Sequence, residues 1–392
     1  MLPEWRFDDF VLDTRNYELR SGDMVIRVEP QVFDVMVQLV ANHERVVTKD
    51  ELFDSVWGGR FVGEAALTSR IKAARRALGD DGESQRYIRT VRGRGYRFVG
   101  PVATPPAPVV AAAPPQHISF CRASDGVRLA YATAGEGPPL VRAANWMTHL
   151  AYDIESPVWR HWVSDLCQDH TFIRYDERGC GLSDWEVGEF TFEDWVTDLE
   201  SVVDALGLQS FPLLGVSQGG AVAIEYAARH PERVDRLVLC SAYARGRGVR
   251  AVGAQEQRAA ALDLELASVG WGRDDPAFRQ VFAAQFLPDG SRSDWAAFDQ
   301  LQRRTTSPEN AVRFLTEFAA IDVCDAARQV RCPTLILHSR DDHRVPMRFG
   351  EELSELIGGS RLVALAGNNH LLTASEPAWR VFCDEVRQFL VT

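Results

Sequence analysis

Residues 211–220 read FPLLGVSQGG, and this stretch decides the fold of the C-terminal part of the chain. Residues 211–214 suit a buried strand, and they lead into GVSQG at 215–219. A helical pattern, AVAIEYAARH, follows directly. This order predicts a strand, a sharp turn that carries Ser217, and a helix whose N-terminus lies beside that serine. A serine held there can act as a nucleophile, and the positive end of the helix can stabilise an oxyanion.

A nucleophilic serine needs a general base and an acid that orients the base, and both types of residue follow downstream. One hydrophobic, strand-like run precedes Asp341 and Asp342, and another precedes a Gly-Asn-Asn turn and His370. The ends of adjacent strands can bring these side chains to Ser217, which predicts a Ser-Asp-His triad. Asp342 is the favoured acid because it stands four residues before Pro346, and Asp341 remains the alternative.

With these motifs in view, residues 117–392 resemble the α/β-hydrolases. YDERGCGLSD at 175–184 is similar to the Y-D-x-R-G-x-G-x-S loop of the family, and HPERVDRLVL is similar to the segment before the sixth strand. NWMTHL at 145–150, with SPVW and RYDERGCGLSDW, resembles one subgroup. Members of that subgroup often lie beside bacterial signalling or DNA-binding modules. The resemblance implies an α/β-hydrolase fold and a possible serine hydrolase activity on carboxylic esters.

One segment departs from the family pattern. Most members place His-Gly after the third strand, whereas this chain has Ala144 and Asn145 there. The resemblance implies an oxyanion hole made by the backbone N–H groups of Gln218 and Trp146. The bulk of Asn145 and Trp146 predicts that the hole is reshaped or filled, which would affect turnover more than ligand binding.

Residues 243–328 interrupt the alternation of strands and helices and contain amphipathic helical stretches. In an α/β-hydrolase a helical lid is inserted here. We expect Asn145, His149 and Tyr243 to border a ligand pocket beneath it. The arginines of ARGRGVR at 244–250 either meet an anionic ligand or are solvated, and the sequence alone favours solvation.

The first hundred residues have a different pattern. Short alternating runs at 5–28 predict a small antiparallel sheet. A helix is expected to start near Pro30, and Thr48 with Glu51 forms a capping box before a second helix. Residues 64–78 predict a third, amphipathic helix. The segment YIRTVRGRGYRFV at 87–99 then reads as two short strands around a glycine-containing tip.

Charge in this region is strongly polarised. Residues 1–59 carry 6 Lys/Arg and 12 Asp/Glu, a net charge of −6, whereas residues 60–100 carry 10 Lys/Arg and 4 Asp/Glu, a net charge of +6. The positive charges fall on the third helix and on the predicted hairpin. Such a basic helix beside a basic hairpin is either a solvated face or the footprint of a surface that binds nucleic acid.

The order sheet, three helices and hairpin resembles the winged-helix domain of the OmpR/PhoB-type transcriptional regulators, over residues 5–99. TVRGRGYRF at 90–98 carries the V-R-G-x-G-Y-R-F hairpin of that family intact, and ALTSRIKAARRAL resembles its recognition helix. The resemblance implies binding to double-stranded DNA, with bases or phosphates contacted from the helix and the backbone or minor groove from the wing. The residues expected to contact DNA are Ser69, Arg70, Lys72, Arg76, Arg92 and Arg94.

The remaining features set the organisation of the chain. Its 392 residues predict a winged-helix domain at 1–100, a Pro/Ala-rich linker at 101–116 and a hydrolase domain at 117–392. No run of 18 apolar residues and no signal-peptide layout occurs, so we expect a cytoplasmic protein without a membrane segment. The 7 scattered cysteines fit reduced thiols, and no metal-ligand spacing or cofactor motif is present.

Three functional hypotheses fit this combination of domains. The chain is a one-component transcription regulator whose hydrolase-like domain senses a small ester- or lactone-like molecule. Alternatively, it is a working serine hydrolase that carries a DNA-tethering module. In the third hypothesis both hold, and slow hydrolysis resets the sensor. A homodimer is expected for the regulator.

Overall fold

The computed structural model describes residues 4–14, 17–22, 24–57, 63–103, 115–273 and 276–391. The chain divides into two compact units, Met1–Val109 and Val110–Thr392. Within the described ranges, no helix is both long enough and apolar enough to cross a membrane.

The N-terminal unit is built from short strands and three helices among its described residues. In chain order its elements are β1 (Glu4–Phe7), β2 (Phe10–Asp13), β3 (Glu18–Ser21), β4 (Met24–Ile26), α1 (Pro30–Ala41), β5 (Val47–Thr48), α2 (Lys49–Trp57), α3 (Glu64–Ala77), β6 (Ile88–Val91), β7 (Gly95–Phe98) and β8 (Val102–Ala103). One antiparallel sheet has the order β4-β3-β2-β1-β8, and a second has the order β5-β7-β6. The predicted order of sheet, helices and hairpin is confirmed.

The local signals in this unit act as predicted. Pro30 opens α1, and Thr48 and Glu51 exchange capping hydrogen bonds at the start of α2. The inward face of α3 buries Leu67 and Ile71 in the same core as the apolar faces of α1 and β7. This burial fixes which face of α3 remains in solvent.

The predicted linker at 101–116 is shortened at both ends. Val102–Ala103 adds to the edge of the first sheet by pairing with β1, and Gln116 is the first residue of a strand in the second unit. An edge strand leaves backbone N–H and C=O groups unpaired, so a short segment that follows the hairpin can satisfy them. Residues 104–114 lie outside the described residues.

The C-terminal unit alternates strands and helices. Its elements are β9 (Gln116–Arg122), β10 (Arg128–Ala134), β11 (Pro139–Arg142), α4 (Leu150–Asp153), α5 (Arg160–Leu166), β12 (Thr171–Tyr175), α6 (Phe192–Ala205), β13 (Phe211–Val216), α7 (Gly219–Arg229), β14 (Val234–Cys240), α8 (Ala254–Gly270), α9 (Pro276–Phe286), α10 (Arg292–Thr305), α11 (Pro308–Ala320), α12 (Cys324–Gln329), β15 (Thr334–Ser339), α13 (Arg348–Leu356), β16 (Arg361–Leu365) and α14 (Pro377–Val391).

These strands form one twisted sheet in the order β16-β15-β14-β13-β11-β12-β10-β9. The strands from β12 to β16 in this order run parallel, while β10 pairs antiparallel with both β9 and β12. Parallel strands buried on both faces read as continuous apolar runs, as β13 and β15 do. Ligand sites of such sheets lie beyond the carboxyl ends of the strands.

The insertion between β14 and β15 forms a cap of helices. The sequence predicted a lid over about 243–328, and α8 to α11 lie in this range. The helix α12 differs, because it packs against α7 and α13 in the layer that covers the sheet. The cap therefore consists of α8 to α11.

Candidate active site and nucleic-acid interface

Ser217 occupies a sharp corner between β13 and α7. Its backbone has φ +52°, a left-handed conformation that is unfavourable for a non-glycine residue and marks strain. The Ser217 N–H donates to the Cys240 carbonyl at 2.9 Å. The corner needs glycine on both sides, because a Cβ on Gly215 would lie 2.5 Å from Gly220 Cα and one on Gly219 would lie 2.6 Å from the Ala144 carbonyl. The turn predicted from G-x-S-x-G is thus present, with the serine raised above the sheet.

The structure brings Ser217, His370 and Asp342 together. Ser217 Oγ lies 2.8 Å from His370 Nε2, and His370 Nδ1 lies 2.7 Å from Asp342 Oδ2. Asp342 is buried and follows β15, while the alternative Asp341 is exposed. The carboxylate that meets the imidazole is therefore the one favoured by the sequence.

The Asp342 carboxylate is held in its ionised form. Burial raises its pKa, but the charge and hydrogen bond of His370 outweigh burial, and the net pKa is lowered. The Arg344 and Val345 N–H groups donate to Oδ1 at 2.8 and 2.9 Å. A buried imidazole, His338, lies 3.9 Å from Oδ2, and burial lowers its pKa, so it stays neutral beside the carboxylate. The sequence analysis did not identify His338.

This arrangement has the chemistry of nucleophilic acyl transfer. His370 Nε2 can accept the Ser217 hydroxyl proton, and Asp342 can fix the tautomer and stabilise the imidazolium. His370 also contacts the cap, because its N–H donates to the Phe286 carbonyl at 2.9 Å and the two rings lie 5.4 Å apart. The general base, His370, is thus hydrogen-bonded to the last residue of α9.

The side chain of Gln218 lies at the predicted oxyanion hole. The Trp146 N–H donates to Gln218 Oε1 at 3.3 Å, so the side chain of Gln218 lies where an oxyanion would accept. Gln218 Nε2 in turn donates to Glu177 Oε1 at 3.0 Å. The Trp146 ring stacks on Trp271 with centroids 5.1 Å apart. The expected filling of the hole therefore comes from Gln218, while the tryptophan ring packs into the cap.

Glu177 is a functional candidate that sequence reasoning missed. It is buried and burial raises its pKa to about 8, although the Gln218 hydrogen bond opposes that rise. The adjacent Arg178 fixes the loop through a bidentate pair with Asp198, at 2.8 and 2.6 Å. The only available signal was its position in the YDERG loop, which gave no indication that its carboxyl would meet Gln218.

A narrow cavity lies between the triad and the cap. Its volume is about 60 Å³. Asn145 and Tyr243, which were predicted to border a ligand pocket, are among its lining residues. The lining residues described are Asn145, Trp146, Met147, Ser217, Gln218, Tyr243, Arg247, Arg250, Ala260, Asp263, Leu264, Phe286, Leu315, Phe318, Ala319, Arg344, Val345 and Leu371.

His149, which was predicted to border a ligand pocket, is not among the residues that line this cavity. His149 precedes α4 as its N-cap residue, and its N–H donates to Asp153 Oδ1 at 3.1 Å. Its imidazole lies near the buried carboxyl of Asp176, whose pKa is raised by burial, while the N–H groups of Leu182 and Leu150 oppose that rise.

The arginines at 244–250, for which the sequence favours solvation, differ in their placement. Arg247 and Arg250 line the cavity, whereas Arg245 pairs with Glu352 outside it. Arg344, which the sequence analysis did not single out, lines the cavity as well. Sequence spacing could not show this, because the segment is irregular and its direction is set by the cap.

The N-terminal unit presents a basic surface on α3 and on the tip between β6 and β7. Ser69, Lys72 and Arg76 are exposed and share one helical face. Arg92 and Arg94 are exposed on either side of Gly93, whose φ of +72° forms the tip. Helix face and wing tip are thus free to meet a charged partner.

Arg70 is placed differently from the other predicted contacts. Its guanidinium pairs with Glu29 at 2.8 Å and donates to Gln31 Oε1 at 3.1 Å. Arg75 is likewise used internally, donating to the Ile88 carbonyl at 2.7 Å and so joining α3 to the hairpin. Arg70 therefore braces the domain in this structure instead of extending from the exposed face.

Comparisons with known proteins agree with both units. Residues 151–377 match the family described as alpha/beta hydrolase fold, and residues 23–98 match the family described as transcriptional regulatory protein, C terminal. The transcriptional regulator HilA of Salmonella typhi is 43% identical over 104 residues, which are 26% of this chain and 18% of that protein. The chain thus spans under a fifth of the length of this relative.

The second unit has relatives of its own. The 2-hydroxy-6-oxo-2,4-heptadienoate hydrolase of Pseudomonas putida is 30% identical over 240 residues, covering 58% of this chain and 77% of that enzyme. A solved hydrolase from Pseudomonas aeruginosa PA01 superposes with a TM-score of 0.59 at 26% identity, over 70% of this chain and 99% of that one. From the two family matches and the fold, the chain belongs to the α/β-hydrolase fold family and joins this fold to a DNA-binding domain of the OmpR/PhoB-type transcriptional regulators.

Proposed function

We propose that the protein is a one-component transcription regulator whose hydrolase domain binds, and slowly hydrolyses, a small ester- or lactone-like molecule. The observation that carries the proposal is the hydrogen-bonded Ser217, His370 and Asp342 set beneath a cap, in the same chain as a DNA-binding domain. The named substrate of the Pseudomonas putida relative, a small keto acid, supports a small carbonyl compound as the ligand.

In the proposed reaction, Ser217 Oγ attacks the ligand carbonyl while His370 Nε2 takes the hydroxyl proton. The oxyanion accepts from the Gln218 N–H and, after the Gln218 side chain moves, from the Trp146 N–H. Collapse breaks the C–O bond and passes the proton to the leaving alkoxide, which departs as the alcohol or, in a lactone, stays attached. Water then attacks the acyl-serine with His370 as base, and the carboxylic acid leaves.

Slow turnover follows from the resting position of Gln218. An oxyanion-hole donor contributes about 10²–10³ in kcat, and here one of the two donors is engaged by another acceptor. A long-lived complex or acyl-enzyme suits a sensor, because its lifetime sets the duration of the response. The contacts of His370 with Phe286 and of Trp146 with Trp271 give the ligand a route to the cap helices.

The remaining parts of the proposal concern the DNA-binding domain. We place the exposed faces of Ser69, Lys72 and Arg76 against the major groove and Arg92 and Arg94 against the adjacent backbone or minor groove. The regulator would work as a homodimer in the cytoplasm, where double-stranded DNA is accessible. Movement of the cap would change the geometry of the dimer.

The second candidate function is an active carboxylic-ester hydrolase that carries a DNA-tethering module. The short hydrogen bonds within the triad favour it, since they already have the geometry of a working nucleophile and base. Under this hypothesis turnover is fast and does not depend on DNA.

Labelling with a fluorophosphonate probe tests both candidates. We expect slow labelling of the wild-type protein and none of Ser217→Ala, with unchanged affinity of Ser217→Ala for DNA. Rapid multiple turnover of short acyl esters, without any effect of those esters on DNA binding, would favour the tethered hydrolase. Absence of labelling would contradict the catalytic part of the proposal.

A further inference from the structure

The cavity that contains Ser217 also contains a concentration of positive charge. Its charged lining residues, among those the structure describes, are Arg247, Arg250, Arg344 and Asp263. Their formal charges sum to +2. The rest of the described lining is apolar or neutral, so the lining itself carries a net positive charge.

The single carboxylate described in this lining is shared. Asp263 Oδ2 accepts from Arg344 Nη1 at 2.6 Å and also from Arg247 Nη1. Arg344 Nη1 lies 2.6 Å from Gln285 Oε1 as well. Asp263 can neutralise only one of the two guanidinium groups that it contacts.

Arg250 has no carboxylate partner in these contacts. Its guanidinium lies over the rings of Tyr243 and Phe349, at 5.1 and 4.4 Å from their centroids. Nη2 donates to the Arg344 carbonyl at 3.1 Å, and Nη1 is buried without a hydrogen-bond partner among the described residues. Aromatic faces orient the group but leave a hydrogen-bond donor unused.

Burial and mutual repulsion both disfavour the charged form of these guanidinium groups. The pKa of Arg250 is lowered to about 10, mainly by burial and also by the charges of Arg344 and Arg247, while Tyr243 and Asp342 oppose the shift. Burial likewise lowers the pKa of Arg247. Cations gathered in a desolvated site are unfavourable by themselves, and an anion placed among them relieves both desolvation and mutual repulsion.

We propose that the arginine cluster, defined as Arg247, Arg250 and Arg344, binds a carboxylate carried by the ligand whose carbonyl group meets Ser217. This inference rests on the proposed function, since it assigns the chemical class of the ligand in the same cavity. The ligand is then an acyl ester or lactone with a free carboxylate, because Ser217 and the arginine cluster line the same cavity. Arg250 Nη1, which has no hydrogen-bond partner among the described residues, donates to this carboxylate.

If the arginine cluster has a purely structural role, a different experimental result is expected. Arg344 joins the loop after β15 to Asp263 on α8 and Gln285 on α9, so the cluster could serve only to hold the cap on the sheet. In that case substitution of Arg250 would change stability and affect charged and neutral ligands equally. Discrimination by ligand charge is therefore the decisive measurement.

The experiment compares mono-4-nitrophenyl succinate with its neutral methyl ester, using wild type, Arg250→Met and the control Arg245→Met. Arg245 lies on the same segment but pairs with Glu352 outside the cavity. We expect the wild type to prefer the anionic ester. In Arg250→Met its KM should rise about 30-fold, the value of one charge-assisted hydrogen bond at roughly 2 kcal/mol, with the neutral ester changed less than about twofold.

A binding measurement separates failure of this inference from failure of the proposed function. If neither ester is hydrolysed, calorimetry with monomethyl succinate on Ser217→Ala decides. Binding that weakens about 30-fold when Arg250→Met is added would support the carboxylate site and contradict hydrolysis. Absence of binding would overturn the inference.

Two further outcomes would also overturn it. Hydrolysis of both esters without preference in the wild type would contradict the inference while supporting the proposed function. Equal loss for both esters in Arg250→Met would indicate the structural role. Thermal unfolding monitors folding of the variants, and Arg250→Lys, which keeps the charge, should retain most of the preference if the site recognises an anion.

Discussion

The side chain of Gln218 offers the sharpest test of the candidate active site, through the variant Gln218→Met. Methionine has a similar length but accepts and donates no strong hydrogen bond. It removes the acceptor that lies 3.3 Å from the Trp146 N–H and the donor that lies 3.0 Å from Glu177 Oε1. The Trp146 N–H then becomes free for an oxyanion.

The size of the effect follows from these two hydrogen bonds. Each is a neutral bond with a net value of about 0.5–1.5 kcal/mol, and both break when the Gln218 side chain moves aside during the reaction. In Gln218→Met this cost of about 1–3 kcal/mol is absent from the barrier, so kcat for 4-nitrophenyl acetate should rise roughly 5- to 150-fold. The buried Glu177 carboxyl loses a partner, so stability should fall by about 1–3 kcal/mol.

The assay combines steady-state ester hydrolysis with the rate of fluorophosphonate labelling, and both should increase together. Glu177→Gln is the matched control, because an amide still offers an oxygen to Gln218 Nε2 and should leave kcat within about twofold. A fall in kcat for a folded Gln218→Met protein would refute the reasoning. It would mean that Gln218 assists the reaction instead of blocking it.

Three further predictions concern pH, DNA and the fold of the N-terminal unit. The pKa of Glu177 in the folded protein is about 8, above its ordinary 4.5, because folding favours the protonated carboxyl. The contribution of this proton to the free energy of unfolding is complete below about pH 4.5 and is lost as pH rises through 8. Glu177→Gln should therefore gain in unfolding free energy relative to wild type between pH 5 and pH 9, by up to about 5 kcal/mol, and a pH-independent difference in chemical denaturation would contradict this. Replacing Arg92 and Arg94 with Ala should weaken DNA binding and reduce the slope of log affinity against log salt by about 2, whereas Arg70→Ala should change the slope by less than 1, as measured by fluorescence anisotropy. Gly95→Ala should destabilise the N-terminal unit by more than about 3 kcal/mol, because its Cβ would lie 2.0 Å from a β5 carbonyl oxygen. Calorimetry measures this change, and an unchanged unfolding temperature of the N-terminal unit would show that β7 can move aside.

Much of the fold could be predicted from the sequence because its signals are local. Glycines at 215 and 219 permit the corner at Ser217, and the capping box of Thr48 and Glu51 starts a helix through atoms only three residues apart. Alternation and helical spacing then assign strands and helices. A resemblance to two families supplied the order in which these elements assemble.

Only the tertiary structure decided which distant groups meet. His370 reaches a serine 153 residues away and selects Asp342 over its exposed neighbour, and Gln218 finds the Trp146 N–H across 72 residues. Arg250 turns into the cavity although its segment reads as a solvated loop.

The physical reason is the range over which each effect operates. Turn geometry, capping and periodic burial depend on a few consecutive residues, so the sequence by itself determined the two domains and the nucleophile corner. The occupancy of an oxyanion hole, the partner of a guanidinium and the charge of a buried glutamate depend on desolvation and on the packing of separate elements. Those properties exist only once the cap and the sheet have closed around them.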